Sequence, residues 1–160
     1  MSVDQAAEVL GFRPEDVRPG ESTRSAKLKW VVVVDGALPS GVAVNAAVCV
    51  AAATSANVSG LLGRDGHDRA GSTHPGLPWA GCSILAADAE TLAEIRAKAV
   101  VSEGVYVADM PSHAQRTRVY DDYLAQLADA DSAEITYAAL SIIGPRNRID
   151  KLVKRLPLLA

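Results

Sequence analysis

Asp35 and Asp109 are the carboxylates best placed for chemistry, because each follows a short apolar run that predicts a β-strand. In open α/β sheets, ligands bind in the crevice outside the carboxyl ends of the strands. A carboxylate at that crevice can orient a water molecule or act as a general base, but it can also simply end a strand or cap a helix. Both interpretations stay open for Asp109, whereas the structural one is favoured for Asp35.

Three further side chains follow Asp109 where a loop meets a predicted helix. His113 is a second candidate base, and Gln115 and Arg116 are suited to bind an anionic group. His74, in the rigid turn His74-Pro75-Gly76, could present its imidazole to the same crevice. The three histidines and two cysteines of the chain lack ligand spacing on any one element, so we predict neither a metal nor a cofactor.

A long apolar helix is predicted to begin at Ser40-Gly41. Its free N–H groups and positive dipole end would form an anion site, unless Ser40 only caps the helix. Because Ala and Val occupy nearly every side, the helix is predicted to be buried all round. Asn45 would then need a buried partner for its amide, either in a neighbouring loop or in a pocket.

Strand-like and helix-like segments alternate along the rest of the chain, which predicts a helix-covered, parallel or mixed sheet. The helix after Asp88 should bury one face. A further helix should begin at Pro111, with an apolar face at helical spacing formed by Tyr120, Leu124 and Leu127. A last helix should be capped by Asn147, with an apolar face formed by Ile149, Leu152, Val153 and Leu156. The predicted strands cover residues 30–34, 82–86, 105–108 and 135–143.

Two segments lie outside this alternation. Residues 1–28 are predicted to form a short helix, from Asp4 to Phe12 and ended by Gly11, and then an extended arm, leaving 29–160 as the α/β domain. Residues 57–81 are rich in Gly and Pro and have little apolar period. Structureless loops longer than about 12–15 residues are uncommon in compact domains, so a functional loop is favoured there over a disordered one.

Composition limits the class of protein. With 49% apolar residues, 22% charged residues and a net charge of -3, the chain resembles ordinary globular domains and not proteins with a broad nucleic-acid-binding surface. The most apolar stretch, 42–53, is shorter than the roughly 20 residues that cross a bilayer, so no membrane partner is predicted. Cys49 and Cys82 are expected to be buried free thiols in a reducing cytoplasm.

Several motifs carry a resemblance to known families. Lys29-Trp30-Val31-Val32-Val33-Val34-Asp35, Val107-Ala108-Asp109 and Ile142-Ile143-Gly144-Pro145 resemble segments of the type-two peptidyl-tRNA hydrolases. The domain of unknown function 2000 family is more similar, through Leu38-Pro39-Ser40-Gly41, His74-Pro75-Gly76 and Ala114-Gln115-Arg116. Both resemblances imply a three-layer sandwich, with a mixed four-stranded sheet covered by helices on both faces, and the second carries no settled activity.

The sequence departs from the hydrolase pattern at the residues that would carry the reaction. Ser40 and Val42 stand where the hydrolases have a lysine-bearing glycine loop. In an ungapped match Ala46 and Cys49 stand where they have Gln and His, and with a one-residue shift Asn45 replaces the Gln. Of their Asp-Ala-Gly-Arg-Thr segment only Asp109 is present. Without the lysine, no residue is obvious that would polarise an ester.

These observations lead to one leading hypothesis and two alternatives. In the first, the domain binds or acts on a small ligand in the crevice, with ester or amide hydrolysis or acyl transfer as the reaction and Asp109 or His113 as base. The ligand would be held by Ser40, Gly41, Asn45, His74 and Arg116. In the second, the arm or last helix binds a protein partner or a second copy. In the third, the basic residues near both ends retain tRNA binding, namely Arg24, Lys27, Lys29, Arg146, Arg148, Lys151, Lys154 and Arg155.

Overall fold

The computed structural model of the chain describes residues 10–160. Its elements, in chain order, are β1 (Leu28–Asp35), α1 (Ser40–Asn57), β2 (Gly66–His67), β3 (Thr73–His74), β4 (Ser83–Ala87), α2 (Ala89–Ala99), β5 (Tyr106–Pro111), α3 (Ser112–Arg116), α4 (Tyr120–Asp129), β6 (Tyr137–Pro145) and α5 (Arg146–Leu152).

A four-stranded mixed sheet forms the centre of the molecule, in the order β4-β1-β6-β5. β1 pairs parallel with β4 and antiparallel with β6, which also pairs antiparallel with β5. Val31 to Val34 of β1 are almost completely buried, as the β-branched run predicts for a strand covered on both faces. The predicted mixed α/β architecture with a four-stranded sheet is confirmed.

α1 covers one face of the sheet, and a chain of buried hydrogen bonds fixes it there. The indole N–H of Trp30 donates to Oγ of Ser141 at 2.8 Å, and the hydroxyl of Thr54 donates to the carbonyl of Val50 at 2.8 Å. Ser141 therefore donates to Oγ1 of Thr54, at 2.6 Å. Ser141 and Thr54 are fully buried, and the chain of donors satisfies both hydroxyls.

α2 and α5 cover the opposite face. The predicted helix after Asp88 is confirmed, and the Asp88 carboxylate accepts a hydrogen bond from the N–H of Thr91 at 2.7 Å. Its predicted apolar face is buried through Leu92, Ile95 and Ala99. These side chains pack in one cluster with apolar residues of β1, β6 and α5.

The burial predicted for α1 is wrong, although its position in the chain is right. Val44 and Val48 are 57% and 61% exposed, and only one face of the helix meets the sheet. Ala and Val on every side permit burial but do not produce it, because no element among residues 10–160 covers the outer side of α1. Cys49 and Cys82 are free as predicted, but both residues are exposed instead of buried.

α1 is also the one helix among residues 10–160 that is long and apolar enough to cross a bilayer. This is weak evidence for a membrane span, because a helix that packs on the core of a soluble protein meets the same criterion. α1 makes such packing through Ala43, Ala46, Val50 and Thr54.

The helices after β5 differ from prediction. The helix expected from Pro111 is divided into α3 and α4, because the backbone at Thr117 and Val119 is extended. Tyr120 and Leu124 of α4 are 72% and 45% exposed, so the predicted apolar face is not buried in this chain. Asp109 lies inside β5 and not at its end.

The last helix also begins differently from prediction. Pro145, not Asn147, is the N-cap of α5, and the Asn147 side chain accepts a hydrogen bond from the N–H of Arg148 within the helix. The face predicted for this helix does reach the core, since Ile149 and Val153 are buried.

The segment before β1 packs on the domain. The helix predicted over 4–12 lies mostly outside the described residues, and its last part is not helical, because Gly11 forms a bridge with Ser59. Gly11 has a φ of 131°, and a Cβ there would lie 2.4 Å from the carbonyl oxygen of Ser59. Phe12 is buried, with its ring 4.8 Å from that of Trp79.

Residues 57–81 contain structure of their own. β2 and β3 form a short hairpin, and the indole of Trp79 donates to the carbonyl of Gly60 at 2.7 Å. The carboxylates of Asp65 and Asp68 accept backbone N–H groups within the segment. The segment lacks a regular apolar pattern, and hydrogen bonds to side-chain acceptors of this kind order its backbone instead.

We predict that Ser141→Ala and Thr54→Val each lower the free energy of unfolding by about 1–3 kcal/mol, because each leaves a buried donor without an acceptor. Ser141→Ala should lower the free energy of unfolding more than Thr54→Val does, since it leaves the indole N–H of Trp30 without an acceptor and also removes the partner of Thr54. Urea unfolding followed by circular dichroism measures the change.

Ser83→Ala, at an exposed position of β4, is the control and should change stability by less than about 0.5 kcal/mol. If the two buried substitutions behave like this control, the hydrogen-bonded chain does not hold α1 on the sheet.

Candidate functional site

The predicted crevice corresponds to one end of the sheet. β1, β4 and β5 run in the same direction, so their carboxyl ends lie together, beside the first residues of β6. At this end Asp35 stabilises a turn, because its carboxylate accepts a hydrogen bond from the N–H of Ala37 at 2.9 Å. That geometry agrees with the structural interpretation of Asp35.

Asp109 is paired with an arginine of the opposite layer from α1. Its carboxylate accepts a hydrogen bond from Nε of Arg96 in α2, at 2.9 Å. This hydrogen bond raises the pKa of Arg96, and the guanidinium lies 5.3 Å from the ring centre of Tyr137. A carboxylate on one side and an aromatic ring on the other hold Arg96 in a defined position.

Two phenols lie near this ion pair and stay protonated at neutral pH. Burial raises the pKa of Tyr137, although the positive charge of Arg96 opposes the shift. Burial also raises the pKa of Tyr123 in α4, and the negative charge of Asp109 adds to it. Neither phenol is therefore ionised to serve as a base or nucleophile beside Asp109 at neutral pH.

The residues predicted at the start of α1 lie on the other side of the sheet. Ser40 and Gly41 are exposed, and the N-cap is Pro39, without a capping side chain, so Ser40 does not cap the helix. Asn45 is exposed as well, so the expectation that its amide needs a buried partner is wrong. The sheet separates these three residues from the Asp109 carboxylate.

His74 makes its side-chain contact with Asp68 and not with Asp109. It lies in the β2–β3 hairpin, with its side chain 66% exposed and its Nε2 3.4 Å from the carboxylate of Asp68. The pKa of Asp68 is lowered, first by the backbone hydrogen bond from Ser72 and then by His74. His74 thus takes part in the order of the hairpin.

His113 and Arg116 line the same cleft, which has a volume of about 460 Å³ and lies between α3, α4 and the start of β6. We call it the α3–α4 cleft. Its walls are His113, Arg116, Gln126, Asp129, Ala130, Asp131, Glu134 and Thr136. The hydroxyls of Ser112 and Thr136 lie 2.8 Å apart and tie the start of α3 to the strand that follows the cleft.

Within the described part of the chain, Nδ1 of His113 is the one buried side-chain nitrogen or oxygen without a hydrogen-bond partner. Buried polar atoms are nearly always paired, so an unpaired one in a cleft wall marks a position worth explaining. His113 lies in the first turn of α3, and its backbone carbonyl accepts a hydrogen bond from the hydroxyl of Thr117 at 2.7 Å.

Three carboxylates outnumber the one arginine in the walls of the cleft, which gives the lining a negative balance. Asp131 is partly engaged, because it accepts the N–H of Ala133 at 2.9 Å. Asp129 and Glu134 make no ion pair among residues 10–160, and the same residues contain no cluster of three or more metal-ligating side chains. The cleft is therefore suited to an organic cation.

The sequence singled out His113 and Arg116, which line this cleft, but not its acidic wall. The available signal was the recurrence of acidic residues from the end of α4 towards β6, at Asp129, Asp131 and Glu134. A second cavity, of about 410 Å³, is lined by Leu10 and residues 55–62 and carries no charged or titratable side chain.

We predict that Asp109→Asn and Arg96→Met each lower the free energy of unfolding by about 1 kcal/mol, and that the double variant loses less than the sum. The effect is modest because both side chains are partly exposed, at 22% and 36%. Urea unfolding of the wild-type protein, the two single variants and the double variant gives the coupling free energy between the two side chains.

Glu94→Gln is the matched control, since Glu94 forms an exposed ion pair with Lys98 on the same helix at 3.7 Å. It should have no measurable effect. Strictly additive losses at positions 96 and 109 would show that the two side chains do not interact in solution.

Comparison with known proteins gives a fold and a family. A solved protein of unknown function from Agrobacterium tumefaciens is 16% identical, with a TM-score of 0.77 over 84% of this chain and 98% of its own. At this identity the likeness shows the fold alone. No curated protein gives a significant match. The model of the family described as "Protein of unknown function (DUF2000)" matches residues 28–160, and the chain belongs to that family.

Proposed function

We propose that this domain binds a small organic cation, such as an amine, in the α3–α4 cleft. The observation that carries the proposal is the meeting of His113 and Arg116 with Asp129, Asp131 and Glu134 around one cavity. Carboxylates attract an ammonium group, while Arg116 can receive a carboxylate or hydroxyl elsewhere on the same molecule. His113 and Arg116 are then ligand-binding residues.

Binding is favoured over ester or amide hydrolysis by the position of Asp109. A hydrolase of the expected kind needs a base or nucleophile beside groups that stabilise the developing oxyanion. Here the Asp109 carboxylate is paired with Arg96, and Ser40, Gly41 and Asn45 lie beyond the sheet. The arrangement supports recognition of a ligand more strongly than turnover.

We further infer an architecture of the type-two peptidyl-tRNA hydrolase kind. It is supported by the mixed four-stranded sheet with α1 on one face and α2 and α5 on the other.

The two free cysteines, Cys49 and Cys82, agree with a place in the reducing cytoplasm.

The position of the basic residues counts against tRNA as the ligand of the cleft. Lys29 is the second residue of β1 and Arg146 follows β6, so they lie at the opposite end of the sheet from the cleft. Several of these cations are engaged within the chain: Lys27 with Asp16, Lys29 with Asp150, and Arg148 with Glu103.

The proposal is tested by titrating ¹⁵N-labelled protein with putrescine, L-lysine and succinate, and following backbone amide signals. Putrescine and L-lysine should shift signals within 112–117 and 126–136, and succinate should not. Asp129→Asn and Glu134→Gln should each weaken binding about two- to fivefold, the effect of one exposed charge pair.

Asp121→Asn, in the exposed first turn of the same helix and outside the cleft, makes the same charge change and should leave the affinity unaltered. If succinate binds as well as the amines, or if the shifts map elsewhere, the cleft is not a cation site.

A further inference from the structure

We propose that the α3–α4 cleft takes a zwitterion, in which a carboxylate accompanies the ammonium group. The ammonium group binds the acidic wall, as proposed above and as this assignment requires, and the carboxylate binds His113 and Arg116. A simple amine or a diamine would leave the second of these two sites without a partner.

The donors of the cleft come from one helix. His113 and Arg116 are three residues apart in α3, a spacing that places two side chains on the same helix face. Arg116 uses its Nε to donate to the carbonyl of Ser112 at 3.3 Å, and neither terminal nitrogen of its guanidinium has a partner among residues 10–160. The two side chains can therefore donate to one carboxylate.

The carboxylates of the cleft come from a different segment, which begins at Asp129, the last residue of α4. The N–H of Glu134 donates to the carbonyl of Asp131 at 2.9 Å, and the Asp131 carboxylate accepts the N–H of Ala133, also at 2.9 Å. These hydrogen bonds close a turn, so Asp131 and Glu134 lie near each other. The acidic wall is thus ordered by its own backbone.

The two kinds of charge do not neutralise each other. Among residues 10–160, no carboxylate lies within ion-pair distance of the Arg116 guanidinium or of the His113 ring. A donor wall and an acidic wall are therefore separate parts of one cleft of about 460 Å³. Such a field favours a molecule that is itself positive at one end and negative at the other.

The proton of the His113 ring adds to the donor wall. Its Nδ1 is buried and has no hydrogen-bond partner in the described part of the chain. A neutral imidazole carries one proton, and a proton on Nδ1 would be a buried donor without an acceptor. The proton therefore belongs on Nε2, the ring nitrogen that is not buried. An Nε2–H group can donate to a carboxylate but has no lone pair for an ammonium ion.

Two pairs of ligands, compared by the same NMR titration, test the proposal: 4-aminobutyrate against putrescine, and 6-aminohexanoate against 1,6-diaminohexane. Each diamine carries two positive charges and each amino acid has no net charge, so a cleft with only an acidic site prefers the diamines. We expect at least one amino acid to bind about fivefold more tightly than the diamine with the same number of carbon atoms.

Arg116→Gln should abolish this preference, because it weakens binding of the amino acid about fivefold and does not weaken binding of the diamine. Arg118→Gln is the matched control, since Arg118 is exposed and lies outside the cleft, and it should keep the preference. If each diamine binds at least as tightly as its amino acid, or if Arg116→Gln keeps the preference, the cleft is a cation site without a carboxylate site. If none of the four ligands binds, the cation site is wrong as well.

The ring nitrogens of His113 give a readout that does not depend on affinity. In long-range ¹H–¹⁵N spectra, with the signals assigned by their loss in His113→Gln, Nε2 should be the protonated nitrogen. Its signal should shift when the amino acid binds and much less when the diamine binds. A proton on Nδ1, or an equal response to both ligands, would overturn the assignment of His113 as a donor to the carboxylate.

Discussion

Side chains of a β-strand point alternately to the two faces of its sheet, and in β5 this alternation decides where the candidate residues can act. Ala108 and Met110 pack in the layer of α1, whereas Val107 packs in the layer of α2. Asp109 shares the face of Val107 and reaches Arg96. Its carboxylate therefore lies in the layer of α2 and not in the layer of α1.

The functional surfaces of the domain follow from this separation. The register of β5 against β6 is interrupted between Met110 and Pro111, and the chain leaves the sheet there to form α3 and α4. The cleft between those helices is therefore built outside the sheet, by His113 and Arg116 from α3 and by acidic residues at and after the end of α4. The exposed side of α1 and the end of β1 that carries Lys29 are separate from this cleft.

Local patterns in the sequence were sufficient for β1 and α2 but not for their surroundings. The β-branched run at 31–34 and the spacing of Leu92, Ile95 and Ala99 predict a buried strand and a half-buried helix, because each signal repeats over a few residues. The buried contact between Thr54 and Ser141 spans 87 positions, so no local pattern contains it. The same holds for the partner of Asp109. A uniformly apolar helix such as α1 also gives no indication of which side faces solvent.

The orientation of Asp109 is tested most directly by the side-chain Nε–H signal of Arg96 in a ¹⁵N NMR spectrum. We expect a signal that is protected from exchange at neutral pH, shows nuclear Overhauser contacts to the ring protons of Tyr137, and loses its protection in Asp109→Asn. A signal that exchanges freely in the wild-type protein and does not respond to the substitution would contradict it. The Asp109 carboxylate would then be free, and a catalytic role would again be open.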